Sequence, residues 1–468
     1  MALNIYGGTA LTGGGTGAID RAEIDGNNLA DKDPFITIVQ NDAVYFHALD
    51  ADSAAAEASP AVIAPDTNPG NKRHILQGVV RIPNGATLPT NPIKGEAFLH
   101  TPTGRSIYMV YNGTSWVGIQ SMSSMTIYVD KTDGTDSVNQ GTGVDSAAYK
   151  TIQYAVNSIP GVNSGNVVIN INNENYSESV TVQGKNFTGN YTITFQGTLS
   201  VVSGPTAQTS SVQGTGATQG SITNTVGTPF TGNANKLLYS SNNAEYRVID
   251  SVTSTAGTIC GCWTAAPTGN YTIYDWATII TGTFLIKSGQ LGIVCNDIKF
   301  FTSSLSSCVY TEANSLLTLM RCWVTGTTTA AYLFFALGDF TTDTCLFTSS
   351  DANTYYHIVG YASIFSIVRT KFLGGYAVGI IFQGAYGGFG AGSIIDNCDM
   401  AEGGLLVETT SVCRFSSTTA VGYPRIRNCT LGVGARMGGQ VTENSLVQYS
   451  SNTTNYTATA ATYGSIAS

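Results

Sequence analysis

The segment IIDNCDM (394–400) sets Cys398 between two carboxylates, Asp396 and Asp399. Residues of these types at this spacing fit a metal site, a reactive thiol or a pair of hydrolytic carboxylates. Five further or overlapping carboxylates, Asp297, Asp339, Asp399, Glu402 and Glu408, are candidates for glycan hydrolysis, although none forms a motif. Asp130, Asp133, Asp136 and Asp145 crowd one polar loop, DKTDGTDSVNQG and its continuation, but lack the spacing and closing glutamate of a calcium loop. The nine cysteines begin at Cys260 without a CxxC pair, and the four histidines (His47, His74, His100, His357) are scattered without HxxxH or HExxH. A structural zinc site is therefore not expected, and no metal or cofactor is assigned.

Whether Cys398 is chemistry or packing depends on how often its setting recurs. Related pieces are NDIKF (296–300), MRCWV (320–324), DTCLF (343–347), RTKFL (369–373), DNCDM (396–400) and RNCTL (427–431). Their third residues, Ile298, Cys322, Cys345, Lys371, Cys398 and Cys429, are 24, 23, 26, 27 and 31 positions apart. A period in the twenties with short β-runs is the signature of a solenoid. Third and fifth residues share one face of a strand, and that face is apolar. Cys322, Cys345, Cys398 and Cys429 therefore read as a stack of core thiols, one per coil, reduced and quiet. Lys371 breaks the row: either the register slips there or a lysine ends the stack beside a partner.

The first residues of the last four pieces, Asp343, Arg369, Asp396 and Arg427, alternate in sign. Opposite charges on neighbouring coils compensate each other, so the expectation is a structural ion-pair ladder. The competing reading, Asp343 with Asp396 as a hydrolytic pair, puts them two coils or about 9–10 Å apart. Arg369 would then occupy the place of the sugar.

Composition bounds the rest. Of 468 residues only 11% are charged against 42% hydrophobic, with 53 glycines, so hydroxyls and amides must clothe the surface. This favours a rigid β-rich exterior over a helical one. A net charge of −9 without a basic run argues against nucleic-acid binding. The N-terminus MALNIYGGTALTGGG lacks a signal-peptide plan, no apolar run is long enough for a membrane span, and the expectation is a soluble product made in a cytoplasm. Triplets such as Asn186-Phe187-Thr188 are what a Thr/Asn-rich chain produces by chance.

Residues 1–122 read as small antiparallel β modules: ITIV and VYFHAL turn at Asn41-Asp42, and GEAFLHTPTGRSIYMVYNGTSWVGI adds a second set. In 123–164, TIYVD is a strand, the acidic loop follows, and Thr151 caps a short helix with apolar face Ile152, Ala155, Val156 and Ile159. The repeat occupies 165–440 as about ten coils. Its early coils carry Ser/Thr/Gly-rich excursions such as SGPTAQTSSVQGTGATQGS (203–221), read as loops or an inserted β element. The polar tail, 441–468, reads as extended strand that packs on a neighbouring subunit or caps the last coil.

The phrases LDADSAAAEASPAVIAPDTNPGNKRHILQG and GEAFLHTPTGRSIYMVYNGTSWVG resemble modules of tail fibres and tailspikes of tailed bacteriophages, where they lie at the virion-proximal end. The order of strand, acidic loop, amphipathic helix and strand pair resembles the entry to a right-handed parallel β-helix of the pectate-lyase-like kind. The fold class expected is therefore all-β, a right-handed parallel β-helix with N-terminal antiparallel modules and a capping helix. The resemblance implies a homotrimeric virion protein, located on the phage particle after assembly in the host cytoplasm. It would join other virion proteins through 1–122 and bind a host surface glycan or protein receptor. Two alternatives follow from it: a head-mounted fibre or decoration protein, and a tailspike that also cleaves polysaccharide. A cellular adhesin of the same fold is the reading from a different class.

Overall fold

The computed structural model describes the chain apart from residues 1–4, 9–34, 41–42, 51–52, 54, 57, 60, 64–72, 82, 93, 102–105, 122, 139, 188, 216–217, 304–306, 327–331, 350–355, 375–377, 391, 397–402, 416–422, 430, 444–446, 459–464 and 468. Cys398, Asp399 and Glu402 lie outside the described residues, as does the Asn41-Asp42 turn. Two compact units are present, Met1–Ile119 and Gln120–Ser468.

Alternating apolar runs make the first unit a pair of β modules. Phe35–Gln40 and Ala43–Asp50 run antiparallel, and Arg73–Arg81 pairs antiparallel with Ala43–Asp50. In the second module Ala97–His100 and Ile107–Tyr111 are antiparallel. Their buried face holds Phe98, Ile107 and Met109, with Trp116 against Phe98 at 5.9 Å between ring centroids.

The second unit is a parallel β-solenoid. Nine coils each contribute one strand to a wide sheet of eleven and one to each of two sheets of nine. The wide sheet begins at Met125–Val129 and ends at Ser465–Ala467. The solenoid thus extends beyond the 165–440 of the repeat. Gln440–Glu443, Gln448–Ser450 and Thr454–Ala458 continue the three sheets, so these tail segments are coil. Their polarity misleads because only alternate residues face inward, and Val441 supplies the apolar contact there.

Helix α1 (Ile152–Ser158) closes the N-terminal end. Thr151 accepts a hydrogen bond from the Tyr154 amide, and Ile152, Ala155 and Val156 are buried. The Glu178 carboxylate accepts from the first two helical amides, Ile152 and Gln153. A short amphipathic helix is what hides the apolar end of a coil and its sheet edges from water.

Inside, aromatic rings stack from coil to coil, Phe340 on Phe365 and Phe347 on Phe372, and within one coil Phe365 lies on Phe382 at 3.7 Å. Gly387 accommodates this last pair, since a Cβ there would stand 2.6 Å from the Phe365 ring. The coil that starts with the third strand of the wide sheet, Ile193–Gln196, is interrupted at one corner. Leu199–Ala207 to Asn270–Trp276 build a seven-stranded antiparallel insert with its own core of Ile222, Phe230, Trp263 and Tyr271. Its two ends meet where Thr278 donates its amide to the Thr198 carbonyl.

The strand register corrects the repeat. Trp323 faces Leu346, so Cys322 and Cys345 occupy equivalent positions, both buried. Leu346 then faces Lys371, which makes Thr370, not Lys371, the follower of Cys345. One coil on, Lys371 faces Ile394, so the column passes to Ser393 and misses Cys398. Cys429 is buried too but follows the strand Arg425–Arg427, at a different corner. Coil lengths vary at the corners, and an alignment on cysteines absorbed that variation as false register.

Candidate functional site

In four coils the corner between the wide sheet and the sheet that follows it spans one or two residues and turns on one left-handed residue. Asp297, Arg321, Thr344 and Arg369 hold it with φ of 60°, 52°, 55° and 50°. Left-handed backbone is uncommon in residues with a Cβ, so this corner is a built feature of four coils. Each arginine reaches back toward an earlier coil. Arg321 grips Asp297 through Nε at 2.6 Å and Nη2 at 2.8 Å. Arg369 grips Asp343 in the same two-pronged way. The hydrogen bonds to Asp297 hold the Arg321 guanidinium above its ordinary value against the opposing effect of burial.

Arg427 does not join that row. It pairs with Asp396 at 2.8 Å and with Asp250 of the insert at 2.6 Å. Lys371, outward-facing, is buried under the insert and reaches Asp250 at 3.0 Å and the Asn235 amide oxygen at 2.8 Å. The four residues expected to form one ladder therefore make two separate clusters: Asp343 with Arg369, and Asp396 with Arg427. Lys371 has both features that the sequence posed as alternatives, a register slip and a partner. Burial raises the Asp250 carboxyl, but Lys371 and Arg427 outweigh it and hold the group below the usual carboxylate range. Around these charges Leu237, Val248 and Trp276 of the insert pack on Leu346 and Ile394. The sequence signal that was missed is Asp250, which follows the apolar pair Val248-Ile249 in the strand EYRVIDSV.

Among the described residues, the remaining carboxylate candidates are structurally occupied, while Asp399 and Glu402 lie outside them. Glu408 is buried and bonded to Arg436 and to Gln383. Asp339 accepts the Ile364 amide at 2.7 Å. Asp130 accepts the amides of Thr132 and Asp133 and the side chain of Asn172. Burial opposes its charge, but these bonds favour it more, and its carboxyl is lowered. Asp133 and Asp145 bring carboxylate oxygens within 4.8 Å of it, while Asp136 instead binds Thr151 and the Lys150 amide. Buried thiols complete the inventory: burial pushes Cys413 up to about 12.

Several surfaces among the described residues are open to ligands. One is the exterior of the wide sheet, where Val168, Thr194, Val294, Thr318, Thr341 and Ser366 stand in line, one per coil. Another is a corner pocket of about 160 Å³ between insert and solenoid, lined by Glu245, Tyr246, Arg247, Arg321, Asp343 and Arg369 among others. A polar groove of about 470 Å³ also lies beside the acidic loop, with Tyr128, Asp130, Asn170 and Gln196 on its walls. Among the described residues, no helix is long and apolar enough to cross a membrane.

No protein-family model matches the chain, and no curated protein matches it. Among solved structures, the tailspike gp61 of Pseudomonas phage phi297 is 11% identical with a TM-score of 0.21, over 63% of this chain and 69% of that one. A glycoside hydrolase is 9% identical with a TM-score of 0.21, over 71% of this chain and 95% of that one. The tailspike gp49 of Acinetobacter baumannii bacteriophage Fri1, a capsular polysaccharide depolymerase, is 10% identical with a TM-score of 0.19, over 94% of this chain and 64% of that one. No residue correspondence is drawn from similarities of this size.

Proposed function

We propose that the protein is a bacteriophage virion component of the tailspike or tail-fibre type, a homotrimer that attaches the particle to the host surface. The observation that carries this reading is the exposed exterior of the wide sheet. In this row Thr194, Thr318, Thr341 and Ser366 offer hydroxyls, alongside Val168 and Val294, on a rigid scaffold without a dense field of charge, a surface suited to a polyhydroxylated polymer such as a glycan. The resemblance of the N-terminal modules to phage proteins supports attachment to other virion proteins through residues 1–122.

Self-association is supported by apolar side chains on both sides of one corner. On one nine-stranded sheet Leu285, Tyr310 and Phe335 form a half-buried outward row, which continues into Val359, Ile381 and Leu406, already buried within the chain. Across the corner, Leu291, Leu316, Ile364 and Tyr386 are 59%, 37%, 60% and 47% exposed. These rows repeat at coil spacing, and another copy of the same solenoid repeats at the same spacing. The number three rests on the phage resemblance.

Attachment without cleavage is the preferred reading, because every described carboxylate candidate is engaged in a structural bond. Incubation with the host's capsule or lipopolysaccharide tests it. Bound polymer without new reducing ends is expected, whereas new reducing ends establish the depolymerase alternative and absence of binding removes the receptor role.

A further inference from the structure

We propose that the corner pocket between the insert and the solenoid binds the carboxylate of an acidic sugar, a hexuronic acid unit of a surface polysaccharide. This assignment rests on the host-surface reading above and narrows it to one ligand class and one place.

The argument starts from which hydrogen-bonding atoms in the pocket are already used. Arg321 spends Nε and Nη2 on Asp297, and Arg369 spends the same two atoms on Asp343, so Nη1 of each guanidinium is unspent among the described residues. Tyr246 sits against Arg321, 5.0 Å from ring centroid to Cζ, and its hydroxyl is also unspent among the described residues. On the acceptor side the oxygens are largely taken. Asp343 receives Arg369 and the Thr344 hydroxyl, and Glu245 Oε2 receives Arg247 and the Thr264 amide. The pocket therefore presents surplus donors, two of them cationic, and few acceptors. A complementary ligand carries acceptors and negative charge, because charge-assisted bonds to guanidinium are the strong ones.

A second observation agrees. Arg247, fully buried in the pocket lining, has its guanidinium lowered to about 10, by burial first and then by the nearby Arg369, which together outweigh the opposing carboxylates of Glu245 and Asp343. Cations that disfavour one another in this way gain from an anion placed among them. The volume of about 160 Å³ admits a group of the size of one sugar ring, not an extended chain. Tyr246 adds an aromatic edge, and Glu245 Oε1 remains as an acceptor for a sugar hydroxyl. Since Arg321 and Arg369 are fixed by bidentate pairs and αL corners, the free Nη1 donors are pre-positioned, which lowers the entropy lost on binding.

Saturation-transfer NMR on the full chain with D-glucuronate, D-glucose and sodium sulfate tests the assignment. Glucuronate is expected to bind at least about tenfold more tightly than glucose, and sulfate alone to compete weakly. The paired change Arg369→Gln with Asp343→Asn removes donors while keeping the pair neutral. It is expected to weaken glucuronate about tenfold, and Tyr246→Phe to weaken it several-fold, with thermal unfolding confirming that both variants fold. Equal binding of glucuronate and glucose, sulfate competing as well as glucuronate, or undiminished binding by the folded paired variant would each overturn the proposal. If the chain holds host polysaccharide but glucuronate does not bind, the pocket assignment falls while the receptor reading stands.

Discussion

Asp250 and Arg369 both neutralise an opposite charge, yet their surroundings give them unequal weight. Asp250 is wholly buried between Lys371 and Arg427, with Gln219 donating a further hydrogen bond. Its removal strands two cations under the insert, and Asp250→Ala should cost about 3–5 kcal/mol. The Arg369–Asp343 pair is 26% and 22% exposed, so Arg369→Ala should cost only about 0–1 kcal/mol. The sequence led to the expectation that Arg369 serves both Asp343 and Asp396. In the structure its hydrogen bonds go to Asp343, and Arg369→Ala and Asp343→Ala should match within error in thermal unfolding. His357 sets an acid limit. It is buried beside Phe372, and burial lowers it to about 3. The unfolded chain takes up a proton below about pH 6.5 that the folded chain refuses, so this contribution is intact above 6.5 and declines as pH falls toward 3. At pH 4 the loss amounts to about 3 kcal/mol, and denaturant titrations at pH 7 and pH 4 should show a smaller difference for His357→Leu than for the parent.

At the scale of elements, the insert is the part on which the rest leans. It covers the outward column of one sheet, including Trp323, Leu346, Lys371 and Ile394. Because its ends meet at Thr198 and Thr278, a short glycine-serine link can replace residues 203–271 without straining the coil. That variant should keep its β content by circular dichroism yet bind a hydrophobic dye strongly. Unchanged dye binding would show that the insert does not shield this face. Much of this scale was legible in the sequence. The solenoid period, the Thr151 cap and the helix face follow from local spacing, and alternation fixes which residues point inward. The exact register from Lys371 onward was not legible, since corners lengthen and shorten without a fixed composition. Nor was the insert's docking site, because Asp250 meets Lys371 and Arg427 only through contacts far apart in sequence. The αL corner was hidden for a different reason: Asp297, Arg321, Thr344 and Arg369 share a backbone angle but not one common residue type.

For the whole molecule, the division at Ile119 and Gln120 makes the solenoid separable in principle. A chain of residues 120–468 should remain soluble, β-rich and self-associated in sedimentation. Aggregation, or a monomer at micromolar concentration, would remove the idea that the solenoid carries its own assembly contacts. The central claim is that this protein is a surface-attachment element of a phage particle. It is tested most directly by electron microscopy of mature particles with a label at the C-terminus of the chain. The expected image is a threefold spike whose labelled solenoid end points away from the tail, with the N-terminal unit at the particle. Mature particles that carry no label would contradict the account.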